Sequence, residues 1–173
     1  MVKNTYNFTR YLYTSKQTYI ICTAIATNRI GTYNNLLESE TTADKLLLFR
    51  KDIMPSWEDS HNCMGGNFSL EMAKLNGAEM DAIWKRILML LIGGSWKFTK
   101  YINGIRYVDR LKKHKIVKIE IWTTLGRKNK DYSDEERNEI KEDFRTNFNV
   151  LIRDIYDFNQ EEIIFNEHFK KNN

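Results

Sequence analysis

A single proline, two cysteines and three histidines in 173 residues exclude several kinds of protein at once. Cys22 and Cys63 have no metal-ligand spacing and no histidines gather with them, so both read as reduced thiols of an intracellular protein. The longest apolar run, around residues 87–92, is far too short to span a bilayer. The N-terminus lacks the charged, apolar, then small-residue order of a secretory signal. No repeat, linker or low-complexity segment divides the chain. Gly65-Gly66 is too short for a phosphate-cradling loop, and neither a nucleophile–base constellation nor a metal-ligand cluster is visible, so an enzyme is disfavoured. What is present is ordinary for one globular domain over residues 1–173: 42% hydrophobic and 29% charged residues. A net charge of +4 suits an anionic partner without requiring one.

Alternation and breakers place the elements. Residues 6–13 and 18–26 read as strands joined by a polar turn at 14–17. A short helix capped by Thr32 follows over 32–39. Residues 40–66 show little periodicity and read as a long functional loop, and residues 67–72 as a third strand. The clearest helix covers 80–92, with Ile83, Trp84, Ile87, Leu88, Leu90 and Leu91 on its apolar face and Gly93-Gly94 ending it. Strands at 102–110 and 115–124 are joined by a basic turn at 111–114. In the second of these, Lys118 and Glu120 alternate with Ile119 and Ile121, giving one charged and one apolar face. Ser133 and Glu136 form a capping box for a helix running to about Phe148. Residues 153–156 and 162–165 read as the last strands. The order is not βαβ, which predicts an α+β domain: an antiparallel sheet with helices on one face.

Pro55-Ser56-Trp57-Glu58-Asp59, Trp122 and the basic run from Arg110 to Lys118 carry the chemistry. A flat ring attracts a cation. A carboxylate accepts two bonds from the Watson–Crick edge of guanine, and cations neutralise phosphates. These are the parts that hold a positively charged purine with a phosphate tail, such as a 7-methylguanosine cap. A general single-stranded RNA binder would use similar parts. The acids Glu135, Glu136, Glu139, Glu142 and Asp143 look superficially like a Mg²⁺ site. Interleaved Arg137, Lys141 and Arg145 make that segment read as a solvated, ion-paired helix face.

Three blocks resemble the eukaryotic translation initiation factor 4E family, the cytoplasmic cap-binding proteins. They are Phe49-Arg50-Lys51-Asp52-Ile53-Met54-Pro55-Ser56-Trp57-Glu58-Asp59 with Gly65-Gly66-Asn67-Phe68, Trp84-Lys85-Arg86-Ile87-Leu88-Met89-Leu90-Leu91-Ile92-Gly93, and Lys118-Ile119-Glu120-Ile121-Trp122-Thr123. The resemblance implies a curved antiparallel sheet backed on its convex face by about three helices, with the cap site on the concave face. It implies that Trp57 and Tyr19 stack on the base, Tyr19 standing where the family usually has Trp. Glu58 would then read guanine and Trp122 would meet the N7-methyl group. Arg110 and Lys118 would hold phosphates, with Lys113 and Lys115 of a lengthened turn beside them; Lys112 and the Lys170-Lys171 pair are further candidates. No cofactor or metal is implied. An Asn-, Lys- and Ile-rich composition suggests an AT-rich genome, that of a protist or a large DNA virus, and the resemblance implies a cytoplasmic protein (host cytoplasm if viral).

On the family's partner face the pattern departs. Leu36 or Leu37 stands where a Trp is usual, and Lys85-Arg86 stands where Leu-Glu is usual, with Met89 nearby. A reversed charge rejects a partner tuned to the opposite sign. Two expectations follow for this monomer with no membrane role. It binds a scaffold of factor-4G type that is non-standard or co-evolved, or it binds capped messenger RNA without a scaffold and acts as a repressor or decoy.

Overall fold

The computed structural model describes residues 6–13, 18–26, 45–93, 96–110 and 116–169. Seven strands form one sheet: β1 (Tyr6–Tyr13), β2 (Thr18–Ala26), β3 (Lys45–Arg50), β4 (Gly66–Ala73), β5 (Ile102–Arg110), β6 (Ile116–Thr123) and β7 (Ile164–Glu167). Their order is β2-β1-β3-β5-β6-β4-β7, and every pair is antiparallel. Among the described residues there are two α-helices, α1 (Gly77–Gly93) and α2 (Asp134–Ile152).

Strand alternation sorts the side chains into two layers. On one face Leu48, Phe68, Leu70, Met72, Ile105, Ile119 and Ile121 meet Ile83, Trp84, Ile87, Leu88 and Leu91 of α1 and Phe144, Phe148 and Ile152 of α2. Phe68 and Phe144 stack across this layer at 4.0 Å and 14°. Each such buried side chain contributes about 1.5–3 kcal/mol, so this layer dominates stability. The opposite parity leaves a small cluster of Leu47, Phe49, Ile53 and Trp122 on a face that no described helix covers. Both helices start on reciprocal caps. Asn76 and Glu79 exchange bonds of 2.8 and 3.0 Å, and Ser133 and Glu136 exchange bonds of 2.9 and 3.1 Å.

The α+β expectation holds, with corrections inside it. β3 lies within the segment read as a loop. Its Leu46-Leu47-Leu48-Phe49 run does not alternate because a central strand is covered on both faces, with Leu47, Leu48 and Phe49 all buried. Residues 153–156 are a turn, not a strand: the N–H groups of Ile155 and Tyr156 both bond the carbonyl of Ile152 at 2.9 Å, closing α2. The last strand is Ile164–Glu167, preceded by a 3-10 turn at Gln160–Glu162. α1 begins at Gly77, α2 continues to Ile152, and Gly93 lies within α1. Arg137 and Lys141 are not solvated but buried, at 3% and 8% exposure. Arg137 bonds Asp134 and the carbonyls of Asn129 and Tyr132, while Lys141 sits 3.6 Å over the Phe165 ring and 3.4 Å from Glu167. Arg137 ties the loop before α2 to the helix, and Lys141 pins the C-terminal segment to it. The readings at 14–17, 32–39 and 111–115 lie outside the described residues.

Candidate functional site

Three rows of side-chain positions cross the open face toward β4: Phe49–Gly104–Trp122–Asn67 and Leu47–Arg106–Glu120–Ser69 from β3 through β5 and β6, and Val108–Lys118–Glu71 from β5. The first row is aromatic. Phe49 meets Trp122 edge-on at 5.3 Å and 78°, and Gly104 between them permits it. A Cβ at Gly104 would stand 2.4 Å from Phe49 Cγ. The second and third rows are charged. Glu120 accepts from Arg106 Nη1 at 3.3 Å and from Trp122 Nε1 at 3.3 Å, and it lies 3.0 Å from Lys118 Nζ. Lys118 also lies 3.9 Å from Glu71.

The loop after β3 folds over the aromatic end of these rows. Its hub is Asn62, which is fully buried: its Nδ2 donates to the carbonyls of Met54 at 2.8 Å and Ser56 at 3.0 Å. Asn103, also buried, donates to Asn62 Oδ1 at 3.0 Å and to the His61 carbonyl at 2.8 Å, tying the loop to β5. Asp59 closes the rim by accepting from the N–H groups of Met54 and His61, both at 2.8 Å. Its carboxyl lies below the ordinary range: burial opposes the shift, and these two backbone bonds together with His61 outweigh it. The Asn-centred frame leaves Trp57 49% exposed with Glu58 exposed beside it. Glu58 accepts from the Ser56 hydroxyl, and this bond, followed by its own backbone N–H, holds its carboxyl below the usual value.

His168 joins loop and sheet. It follows β7, and its N–H bonds the Gly65 carbonyl at 3.1 Å. Its ring is 4.4 Å from Trp122 and stacks near Trp57 at 6.4 Å and 27°. Nδ1 bonds the Asn62 carbonyl at 2.9 Å, and the buried Nε2 has no partner among the described residues. Burial holds the imidazole below its ordinary value, opposed by the Asn62 carbonyl and by Glu120 and Glu167.

Of the expected site residues, Trp57 and Trp122 lie at one end of the sheet, bridged by the His168 ring, with Glu58 beside Trp57, while Lys118 shares the face of Trp122 two rows away along β6. Trp122 is 1% exposed, covered by Phe49, Ile53 and His168. Arg110 ends β5 with its backbone opposite Ile116. Lys113 and Lys115 lie outside the described residues, as do Leu36 and Leu37. Tyr19 lies on β2 with its backbone opposite Leu12. On α1, Lys85 pairs with Asp81 at 2.5 Å, and Arg86 forks onto Asp154 at 2.5 and 2.8 Å and bonds the Leu151 carbonyl at 2.9 Å. Met89 is 62% exposed. Sequence reasoning missed Asn62, Asn103, Arg106 and His168. The Gly104-Arg106-Val108 alternation was the available sign for Arg106; the buried asparagines carry none. Among the described residues no three His, Cys, Asp or Glu side chains gather as a metal site would, and no helix is long and apolar enough to cross a membrane.

Residues 5–173 match the family model described as Eukaryotic initiation factor 4E. Eukaryotic translation initiation factor 4E1 of Drosophila melanogaster is 35% identical over 79 residues, which is 46% of this chain and 29% of the fly protein. Factor 4E-1 of Caenorhabditis elegans is 38% identical over 92 residues, 53% of this chain and 40% of the worm protein. The aligned stretches thus span less than half of these relatives. Among solved structures, Ascaris suum eIF4E-3 in complex with m7G cap superposes with a TM-score of 0.67 at 19% identity, covering 96% of this chain and 91% of that one. Schistosome eIF4E in complex with m7GpppG and 4E-BP gives 0.65 at 21% identity, covering 86% and 81%. At such identities the structural likeness is one of fold. The match over nearly the whole length establishes that the chain belongs to the eukaryotic initiation factor 4E family.

Proposed function

We propose that this protein binds the 7-methylguanosine cap of messenger RNA on its open sheet face and acts in translation initiation by recognition, not catalysis. The observation that carries the reading is the adjacent pair Trp57 and Glu58, both exposed on a loop framed by buried Asn62 and Asn103. Family membership and the cap-bound Ascaris and schistosome neighbours support it. Trp57 offers its π face to the cationic base, with Tyr19 as the candidate second ring. Glu58, kept a carboxylate by Ser56 and its own N–H, accepts the N1–H and N2 amine of guanine. Trp122, buried beneath His168, forms the floor on the side of the methyl group. Lys118, Arg110 and the turn lysines Lys113 and Lys115 take the phosphates.

Intrinsic tryptophan fluorescence during titration with 7-methyl-GTP, and in parallel with GTP, tests this. Saturable quenching by the methylated ligand and little by GTP is expected, because GTP lacks the cationic ring. Unchanged cap affinity in Trp57→Ala or Glu58→Ala would overturn the assignment.

For the partner face we propose a scaffold of non-standard type. Lys85 and Arg86 have acidic partners within the chain, so a docking helix meets paired charges beside the exposed thioether of Met89. Tight binding of an ordinary Tyr-and-Leu peptide would refute this.

A further inference from the structure

We propose that Arg106 is an anion contact of this site, and that it takes the phosphate joined directly to the nucleoside. The inference rests on the cap-binding reading and adds a residue to it. Three observations carry it. First, Arg106 shares the open face with Trp122 and Lys118, in the row between them. At about 3.4 Å per residue, Glu120, its cross-strand partner, lies about 7 Å along β6 from Trp122, and Lys118 about 14 Å. An anion leaving the ring cluster along β6 therefore meets Arg106 first.

Second, the guanidinium is held at one corner only. Nη1 bonds Glu120, which is itself anchored to Trp122 Nε1. The remaining donors of the five-donor fork have no partner among the described residues. A planar fork with unused N–H groups suits two phosphate oxygens.

Third, the layering favours an incoming anion. The side chains of Arg106 and Lys118 are 24% and 19% exposed, and the Glu120 carboxylate between them is 10% exposed. The cations stand outward and the counter-charge lies beneath.

The test is a chain-length series: 7-methylguanosine, 7-methyl-GMP and 7-methyl-GTP, titrated by fluorescence into wild type, Arg106→Gln, Arg106→Lys and Lys118→Gln, each checked for a wild-type thermal melt. Arg106→Gln should lose about tenfold of the affinity gained between nucleoside and monophosphate, the scale of one charge-assisted bond, while binding the nucleoside normally. Arg106→Lys should recover part of that step. Lys118→Gln should leave that step intact and reduce the gain from monophosphate to triphosphate. An unchanged monophosphate step in Arg106→Gln overturns the proposal, as does an equal loss for all three ligands, which would mark a structural role. If wild type ignores every methylated ligand, the cap reading has failed instead. Inorganic tripolyphosphate then decides the anion site alone: thermal stabilisation of wild type but not of Arg106→Gln supports it, and equal or absent stabilisation overturns it.

Discussion

Cations meet carboxylates on both faces of this molecule, and the layering is opposite. On the open face, Glu120 lies beneath Arg106 and Lys118 and is less exposed than either. On the helix side, the Asp154 side chain is 60% exposed and that of Arg86, which it holds in a two-pronged fork, is 40% exposed. An anion reaching the first face meets nitrogen; a partner reaching the second meets a carboxylate. A count of charges along the sequence gives both regions the same basic character. Which partner each can accept depends on which member of the pair stands outermost.

The two faces also differ in what their aromatic residues do, and the largest predicted effects break that distinction. Trp122 belongs to the small cluster that stabilises the open face. Trp122→Ala should lower unfolding free energy by about 3–5 kcal/mol, the range for deleting a buried large ring. Urea denaturation checks this, and a midpoint close to wild type would show that the four-residue cluster adds little to the helix-side core. Trp57, half exposed on the loop, should behave the other way. Trp57→Ala should leave the urea midpoint in place and reduce 7-methyl-GTP affinity by about 1–3 kcal/mol, the scale of one stacked base. Asn62→Ala falls between them. Removing its amide takes one bond each from the Met54 and Ser56 carbonyls and one from Asn103, at a cost of about 1–3 kcal/mol. It also frees the loop that aims Trp57 and Glu58, so stability and affinity should fall together. A variant that lost only one of the two would show that frame and site are separable.

His168 gives a smaller effect whose sign follows from its burial. The unfolded chain takes up a proton near pH 6.5, and the folded chain only at lower pH. Below about pH 6.5 the unfolded state therefore binds more protons, so stability rises with pH through this window and is lost as the pH falls. Glu120, Glu167 and the Asn62 carbonyl moderate the shift without reversing it. Denaturation midpoints from pH 7.5 down to 5.5 should decline in wild type, and His168→Gln should flatten that part of the decline. Parallel slopes in the two proteins would show that the imidazole is not the group responsible.

Much of this was legible because strand alternation and capping are local. Lys118 and Glu120 against Ile119 and Ile121 gave β6 and its charged face, and Ser133 with Glu136 gave the start of α2. β3 escaped because a strand covered on both sides loses the period of two. Lys141 was misplaced because its burial depends on partners far along the chain, Glu167 and Phe165, and Arg137 because the preceding loop folds its carbonyls onto the guanidinium. The loop around Trp57 was visible as a motif but not as a structure. Its frame consists of Asn62 and Asn103, 41 residues apart, and nothing in either neighbourhood marks an asparagine as buried. Tyr19 was legible only as a ring of the right type; the structure places its backbone on β2 opposite Leu12.

The smallest expected effect lies on the helix side and sharpens the opening contrast most directly. Asp154→Asn removes the outermost charge of the Arg86 fork while keeping the shape. Both side chains are well exposed, and exposed ion pairs contribute little to folding, so the urea midpoint should not move measurably. What should change is recognition. With Asp154 neutral, Arg86 becomes the outward charge, and the face comes to resemble the open face in its layering. A fluorescein-labelled Tyr-and-Leu helical peptide bearing acidic flanking residues should bind the variant more tightly than wild type, with the gain disappearing at high salt. Should wild type and variant bind it equally, the fork would not control access to Arg86. Layering would then matter on the sheet and not on the helix, confining the contrast to the face with the buried carboxylate.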